Sequence, residues 1–375
     1  MGRGRGYSFL IIFILSSILL VGCWDRREIN DVAFVLTTGF DLSNDNKYKI
    51  SMLFPIVHQP GSETKGSPDK KPFIVDTQVG KSEYDVLNII EERTSREINF
   101  NHQREILFSE KVAKQKGLRL LLNSLIHKRQ NRLPTSIVIV KNEAKDLLES
   151  SPKFDKFPGE VIRETIIMNS LPSVNEQDIF NRISLQGIDP VVPVFDVTKV
   201  KKNKQIQFVG IALFSKDKMV GMISRKDITP YLWLESSFKM HKENVSISGK
   251  EVGIKVESGK KIIMTRKKGK KIHYQLYIEA IGEILFNGTN FDFSKQKNVS
   301  LLEQEWKTQL TSKLKKAIGE LKKKKCDLMG AGLKLNETYP NEWKRVQNNW
   351  YKEFEESNFE IKVNVKIEHF GNVVY

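Results

Sequence analysis

One short stretch of this 375-residue chain gives a reactive side chain neighbours that define a chemical task for it. It is Leu20-Val21-Gly22-Cys23, at the end of an apolar run and directly ahead of Trp24, Asp25 and Arg26. Arg3 and Arg5 make the start of the chain basic, and Tyr7 to Val21 is apolar apart from scattered hydroxyls. A run of about 15 residues is short of the roughly 20 that span a bilayer as a helix. A basic start, a short apolar middle and small residues at the end describe a secretory signal peptide over residues 1–22. The ending lacks an A-x-A-like cleavage site. Its spacing is that of a bacterial lipobox, in which the cysteine thiol takes a diacylglycerol and becomes the first residue of the mature chain. The sulfur is the nucleophile, and the protease behind it needs small or aliphatic residues upstream. Two acyl chains suit the purpose, because each buried CH2 contributes about 0.8 kcal/mol and a single chain holds only marginally. The competing assignment is an uncleaved membrane anchor with an incidental cysteine. The agreement of charge, length and cleavage region favours lipidation of Cys23.

No other constellation carries chemistry. The histidines at 58, 102, 127, 241, 273 and 369 include no H-E-x-x-H and no pair at metal-ligand spacing. A G-x-S-x-G nucleophile elbow is lacking. Gly61 to Ser67 comes one lysine short of a phosphate-binding loop, and Pro68 stands where its helix would begin. Cys326 follows four lysines that would lower a thiol pKa, but a small core residue at a helix end explains it better. Glu91 and Glu92 are adjacent, and adjacent helical residues do not face one another. The expectation is therefore a chain with no catalytic residues, no metal and no cofactor; only a carboxylate pair buried in a cleft would revive a hydrolase.

Composition supports an anchored, exported protein. The first 22 residues hold two basic and no acidic side chains, leaving 59 Lys and Arg against 45 Asp and Glu, a net charge of +14. If Cys23 is lipidated, Cys326 lacks an intrachain partner and the fold must stand on packing; the alternative is a Cys23–Cys326 disulfide in an unlipidated chain. The densest basic run, Lys313 to Lys325, lacks the interleaved aromatics that stack bases, so nucleic acid is not an expected partner. It reads as a solvated helix face or as a surface for anionic headgroups, worth about 1 kcal/mol per basic residue near the membrane.

Strands are expected at 32–36 and 48–53 around a turn-rich GFDLSNDNK. An exposed loop at 58–72 follows, then a helix capped by Ser82 with Val86, Ile89 and Ile90 inward. REILF (104–108) and LPTSIVIVK (133–141) read as strands with helices at 110–116, 117–129 and 142–149 between and after them. Residues 150–190 read as helices broken by prolines. The run 188–205, with two prolines and a basic polar turn, marks a change of domain. A hairpin turning at Ser215–Lys218, a helix from Ser224 to Phe238, and strands over 245–286 with turns at Ser258-Gly259 and Lys268-Gly269 come next. Leu302, Trp306, Leu310, Leu314, Ile318 and Leu321 recur at helical spacing, as do Trp343, Val346, Trp350 and Phe354 behind Pro340. Phe359 to Ile367 alternates as a half-buried strand. The organisation read from this is a signal peptide (1–22), an N-terminal α+β domain (23–200), which holds one or two subdomains, and a C-terminal α+β domain (206–375).

Several segments together resemble the Ger(x)C family: CWDRREINDVAFV at the mature start, GIALFSKDKMVGMI in the middle, then DLMGAG, YPNEWKRVQNNWYKEFEE and VNVKIEHFGN. Ala331 departs from the family's habit of a bulky apolar residue there, which bears on local packing. The resemblance implies a multi-domain α+β fold of mixed β-sheets flanked by helices. It also implies a non-enzymatic lipoprotein subunit on the outer face of the spore inner membrane. Its partners would be the A-type and B-type membrane subunits of a receptor for small nutrient germinants, and membrane lipid through the diacylglyceryl group on Cys23. Trp24, Asp25 and Arg26 match the family's opening motif, with the expected task of holding the first domain near the headgroups. The alternative is a solute-binding-like lipoprotein that captures germinant in an interdomain cleft. The dissimilar halves of the chain favour the assembly role.

Overall fold

Short, mainly apolar runs build the first layer. The computed structural model describes residues 31–56, 71–128, 135–152, 154–172, 174–200, 203–235, 240–269 and 271–370. In it, β6 (Glu105–Ser109) and β7 (Ser136–Val140) lie parallel and almost wholly buried, as strands covered on both faces must be. They sit in an eight-stranded sheet ordered β10-β9-β8-β7-β6-β2-β3-β4. The other members are β2 (Thr37–Leu42), β3 (Tyr48–Pro55), β4 (Phe73–Gly80), β8 (Val191–Val200), β9 (Asn203–Ser215) and β10 (Lys218–Ser224). The four central strands, β2, β6, β7 and β8, are parallel, and antiparallel pairs flank them on both sides. A small parallel pair, β1 (Val32–Phe34) with β5 (Glu97–Asn99), stands beside the sheet.

The two-residue period of the strands sorts the core. Ile106, Phe108, Ile137 and Ile139 pack against α1 (Glu83–Arg93), α2 (Glu110–Gln115), α3 (Arg119–Lys128) and α6 (Glu176–Ser184). Leu107, Val138 and Val140 face α4 (Ala144–Leu148) and α5 (Pro158–Met168). Ser82 caps α1 as expected, its hydroxyl accepting from the Asp85 amide at 3.1 Å, although the reciprocal Asp85 carboxylate takes the Lys81 amide instead. The buried stripe of α1 is Val86, Leu87 and Ile90, with Ile89 half-buried, one position away from the expected set.

The expected turn at GFDLSNDNK begins too early. Gly39 and Asp41 lie inside β2. A Cβ on Gly39 would come 2.9 Å from that of Ala144, so the glycine lets α4 sit close to the sheet. Asp41 is buried and caps the same helix, accepting from the amides of Ala144 and Lys145 at 2.8 and 3.0 Å. Turn-forming residue types were here serving a helix packed on the strand.

The second sheet is ordered β11-β12-β13-β14, with β11 (His241–Ile247), β12 (Lys250–Lys268), β13 (Lys271–Asn287) and β14 (Asn358–Phe370). The turn expected at Ser258-Gly259 is a bulge inside the 19-residue β12, where the register slips between Val256 and Ser258. The turn at Lys268-Gly269 holds. Helix α8 (Gln296–Lys323) lays its full predicted stripe across this sheet, each of the six residues at most 4 % exposed. β14 buries Val363, Val365 and Ile367 as its alternation requires, while Phe359 and Ile361 are half-buried.

Two expected helices are shorter than the pattern implied. Ser224 to Phe238 is a 3-10 turn at Arg225–Asp227 and then α7 (Thr229–Leu234); residues 236–239 lie outside the described set. The helix behind Pro340 breaks into α10 (Pro340–Val346), a 3-10 turn at Gln347–Asn349, and α11 (Trp350–Glu356). Between α8 and α10 runs α9 (Ala331–Thr338). The run 188–205, read as a change of domain, holds β8 and the start of β9, which pair antiparallel, and both β9 and β10 extend the large sheet. Among the described residues no helix is long and apolar enough to cross a membrane.

Candidate functional site

Cys23, Trp24, Asp25 and Arg26 lie outside the described residues, as does the near-phosphate-loop at Gly61–Ser67. Asp31 leads directly into β1. Phe34 then turns its ring edge against His102 at 4.7 Å, and Val35 donates its amide to Asn99. The first described segment is thus tied to β5 and the loop that follows it.

The most concentrated polar chemistry lies where the two sheets meet. Asp189, just before β8, and Asp327, just after α8, are 2 % and 0 % exposed. They bond to one another twice: the Asp189 amide donates to the Asp327 carbonyl at 2.9 Å, and the Asp327 amide donates to the side-chain Oδ2 of Asp189 at 2.7 Å. Asp189 Oδ1 also accepts from the Lys216 amide and the Tyr351 hydroxyl, both at 2.7 Å. The Asp327 carboxylate caps α9, taking the amides of Ala331 and Gly332 at 2.9 Å each, and the Trp350 indole at 3.1 Å. Burial pushes both carboxyls above their ordinary range, the backbone donors pull them back, and Asp189 adds repulsion at Asp327.

This arrangement gives DLMGAG its physical reason. Asp327 must reach the amides four and five residues on, and Gly330 makes the turn with φ +75. Gly332 packs on Gly187 so tightly that a Cβ would come within 2.5 Å of the Gly187 Cα and 2.9 Å of the rings of Trp343 and Trp350. Ala331, the departure noted above, is wholly buried in the first turn of α9.

A second buried carboxylate serves the other sheet. Glu243 on β11 is bound by His241 Nε2 at 2.8 Å, by the Trp306 indole at 3.0 Å and by the Trp233 indole. Burial alone would raise its pKa, but these donors together hold the carboxyl below the usual range. Nearby, Arg182 of α6 pairs with the buried Glu235 at 2.6 Å, joining the two halves. The Lys261 ammonium reaches the carbonyls of Leu234 and Met329 at 2.8 and 3.3 Å, and its burial lowers its pKa to about 8.

The buried carboxylate pair that would have revived a hydrolase is present, yet its chemistry is spent. Each oxygen of Asp189 and Asp327 accepts from a protein donor, and both side chains are buried. The indole of Trp306 goes to Glu243 and that of Trp350 to Asp327 rather than to a sugar-stacking face, and Trp343 is packed against Trp350 with centroids 5.3 Å apart. Cys326 is fully buried at the end of α8, and burial beside Asp189 and Asp327 pushes its thiol pKa well up. No group of three metal-ligating side chains occurs among the described residues. Sequence reasoning missed Asp189, Asp327, Tyr351 and Glu243. The one available signal was Asp327 standing four residues ahead of Ala331-Gly332 where a helix begins.

Comparisons with known proteins agree with this architecture. Residues 25–197 match the model of the spore germination protein N-terminal domain, and 209–371 match that of the spore germination B3/GerAC-like C-terminal domain. The gap between the two matches falls on the β8–β9 hairpin. The chain is 24 % identical to spore germination protein KC of Bacillus subtilis (strain 168), over 96 % of this chain and 94 % of that one. It is 23 % identical to spore germination protein GerQC of Bacillus cereus, over 96 % and 98 %. The crystal structure of the GerBC protein shares the fold with a TM-score of 0.56 at 16 % identity, covering 88 % of this chain and 96 % of that one. Carrying both halves of the family in order and along nearly its whole length, the chain belongs to the Ger(x)C family of spore germination proteins.

Proposed function

We propose that this chain is the lipid-anchored, non-enzymatic subunit of a spore germinant receptor. It is held to the outer face of the spore inner membrane through a diacylglyceryl Cys23, and it acts by assembling with the A-type and B-type membrane subunits so that nutrient can trigger germination. The observation that carries this reading is Leu20-Val21-Gly22-Cys23 at the head of a chain whose residues 25–197 and 209–371 match spore germination proteins. The non-enzymatic part is supported by the Asp189–Asp327 pair, whose four carboxylate oxygens accept from backbone, indole or tyrosine donors. Trp24, Asp25 and Arg26 would then be the first residues outside the bilayer, positioning the first domain at the headgroups.

The test is Cys23→Ala. The wild-type chain is expected to incorporate a lipid label, to fractionate with spore inner membranes and to co-purify with the two membrane subunits. The variant is expected to lose the label, leave the membrane fraction and slow nutrient germination at least tenfold. A variant that stays membrane-bound and germinates normally would sink the reading.

A further inference from the structure

A cleft of about 460 Å³ opens where the two halves meet, directly over the Asp189–Asp327 pair. The first half contributes Arg119 at the start of α3, Gln186 after α6, and Lys216 in the β9–β10 turn. The second half contributes Lys325 beyond α8 and the amides of Asn348 and Asn349 in the 3-10 turn ahead of α11. The lining has three cations and no carboxylate. None of the three makes an ion pair among the described residues, and the side-chain amides of Gln186, Asn348 and Asn349 make no hydrogen bond to protein there. Asp189 underlies Lys216 but is already filled by its own three donors.

Backbone conformation sets the two lysines apart. Five non-glycine residues among those described have positive φ. Asn46, Ser170 and Ser248 are the short polar types that tolerate it. The other two are Lys216 and Lys325, at φ 57 and 53, and both line this cleft. Lys325 stands just past the end of α8, where glycine is the favoured residue. A long cationic side chain is thus kept at two places where the backbone prefers none. Arg119 is positioned differently, through an Nη2 bond to the Ile183 carbonyl at 2.6 Å that leaves its other N–H groups free to point into the cleft. The helix expected to run unbroken behind Pro340 is interrupted at the 3-10 turn that faces the same space, a kind of break found at functional sites.

We infer that this cleft binds a small molecule bearing an oxyanion group, a carboxylate or a phosphate, held between Arg119, Lys216 and Lys325 with the asparagine and glutamine amides on its polar rim. The volume suits a small metabolite. Walls of a single charge sign concentrate the field in such a cleft, and a guanidinium matches a two-oxygen acceptor. Because both halves supply cations, the bound anion would tie them together.

The test is calorimetric titration of the full chain in detergent with inorganic phosphate and, in a separate arm, with citrate. Saturable one-to-one binding of at least one is expected, the stronger arm naming the oxyanion preferred. Affinity should fall at least tenfold in Lys216→Gln/Lys325→Gln and stay unchanged in Lys307→Gln, which alters a lysine in the middle of α8, outside the cleft lining. Asn349→Asp, which sets a negative charge on the rim, should weaken binding likewise and covers the case of a double variant that does not fold. Absence of binding in both arms, or equal loss in Lys307→Gln, would overturn the inference. It goes beyond the assembly reading, and a chain that binds neither anion leaves that reading untouched.

Discussion

Glu105 shows how one side chain sets a pH dependence for the whole fold. It is 4 % exposed in β6, with the Thr37 hydroxyl donating to it at 3.1 Å. Burial raises its pKa to about 7, the Thr37 bond and the charges of Arg104 and Arg163 opposing. A carboxyl whose folded pKa lies above its unfolded value holds its proton more tightly in the native state. Stability is therefore full below about 4.5, falls as pH rises toward about 7, and stays reduced above that. Glu105→Gln keeps the acceptor for Thr37 and removes the titration. It is expected to leave stability near pH 4 little changed and to raise it near pH 8 by up to about 3 kcal/mol, read from denaturant midpoints at the two pH values. Equal effects at both would show that Glu105 does not titrate in this window. Nothing in the sequence announced this residue: REILF reads as a strand whether its glutamate points to water or to Thr37, and burial depends on which helices cover that face.

Among the elements, periodicity was legible and interruptions were not. The stripe of α8 and the alternation of β14 follow from residue spacing, because one buried face over many turns leaves a repeating trace. The break at Gln347–Asn349 left none, since Trp343, Val346, Trp350 and Phe354 keep helical spacing through it; the interruption answers the cleft rather than the apolar face. The bulge at Val256–Ser258 was misread as a turn because Ser-Gly carries the same local preference in both settings. The Asp41 cap on α4 and the Asp327 cap on α9 were missed for opposite reasons. One reaches 103 residues along the chain and the other only four, but neither stands at a conventional cap position. The contact between the Gly187 loop and α9 yields a firm expectation. Gly332→Ala inserts a methyl where only 2.5 Å separates its Cβ from the Gly187 backbone. It should cost about 1–3 kcal/mol by forcing the loop and helix apart, measurable by equilibrium unfolding. A neutral result would mean the loop yields without strain.

Across the whole molecule, two sheets share one continuous apolar cluster, and polar contacts fix how they meet: Asp189 with Asp327, Lys216 and Tyr351, and Arg182 with Glu235. Heating the chain is expected to give a single calorimetric transition. Tyr351→Phe should remove the 2.7 Å bond to Asp189 and lower stability by about 1 kcal/mol while Lys216 stays bound. Two separate transitions in the unaltered protein would contradict a junction that couples the halves. The change of composition near residue 200 reads as a boundary between two α+β halves, while the large sheet continues through β9 and β10 beyond it. The sharing of a sheet across that point could not be read, because a basic polar hairpin and an interdomain linker use the same residues. This shared sheet also has a consequence in time. Strands β9 and β10 complete the first sheet from sequence beyond the hairpin, and the partners of Asp189 at 216, 327 and 351 all come later in the chain. A growing polypeptide therefore carries an open strand edge on β8 until β9 has emerged at residue 215, and it closes the junction only when its last fifth has been made. Anything that shields unfinished chains from one another matters most during that interval.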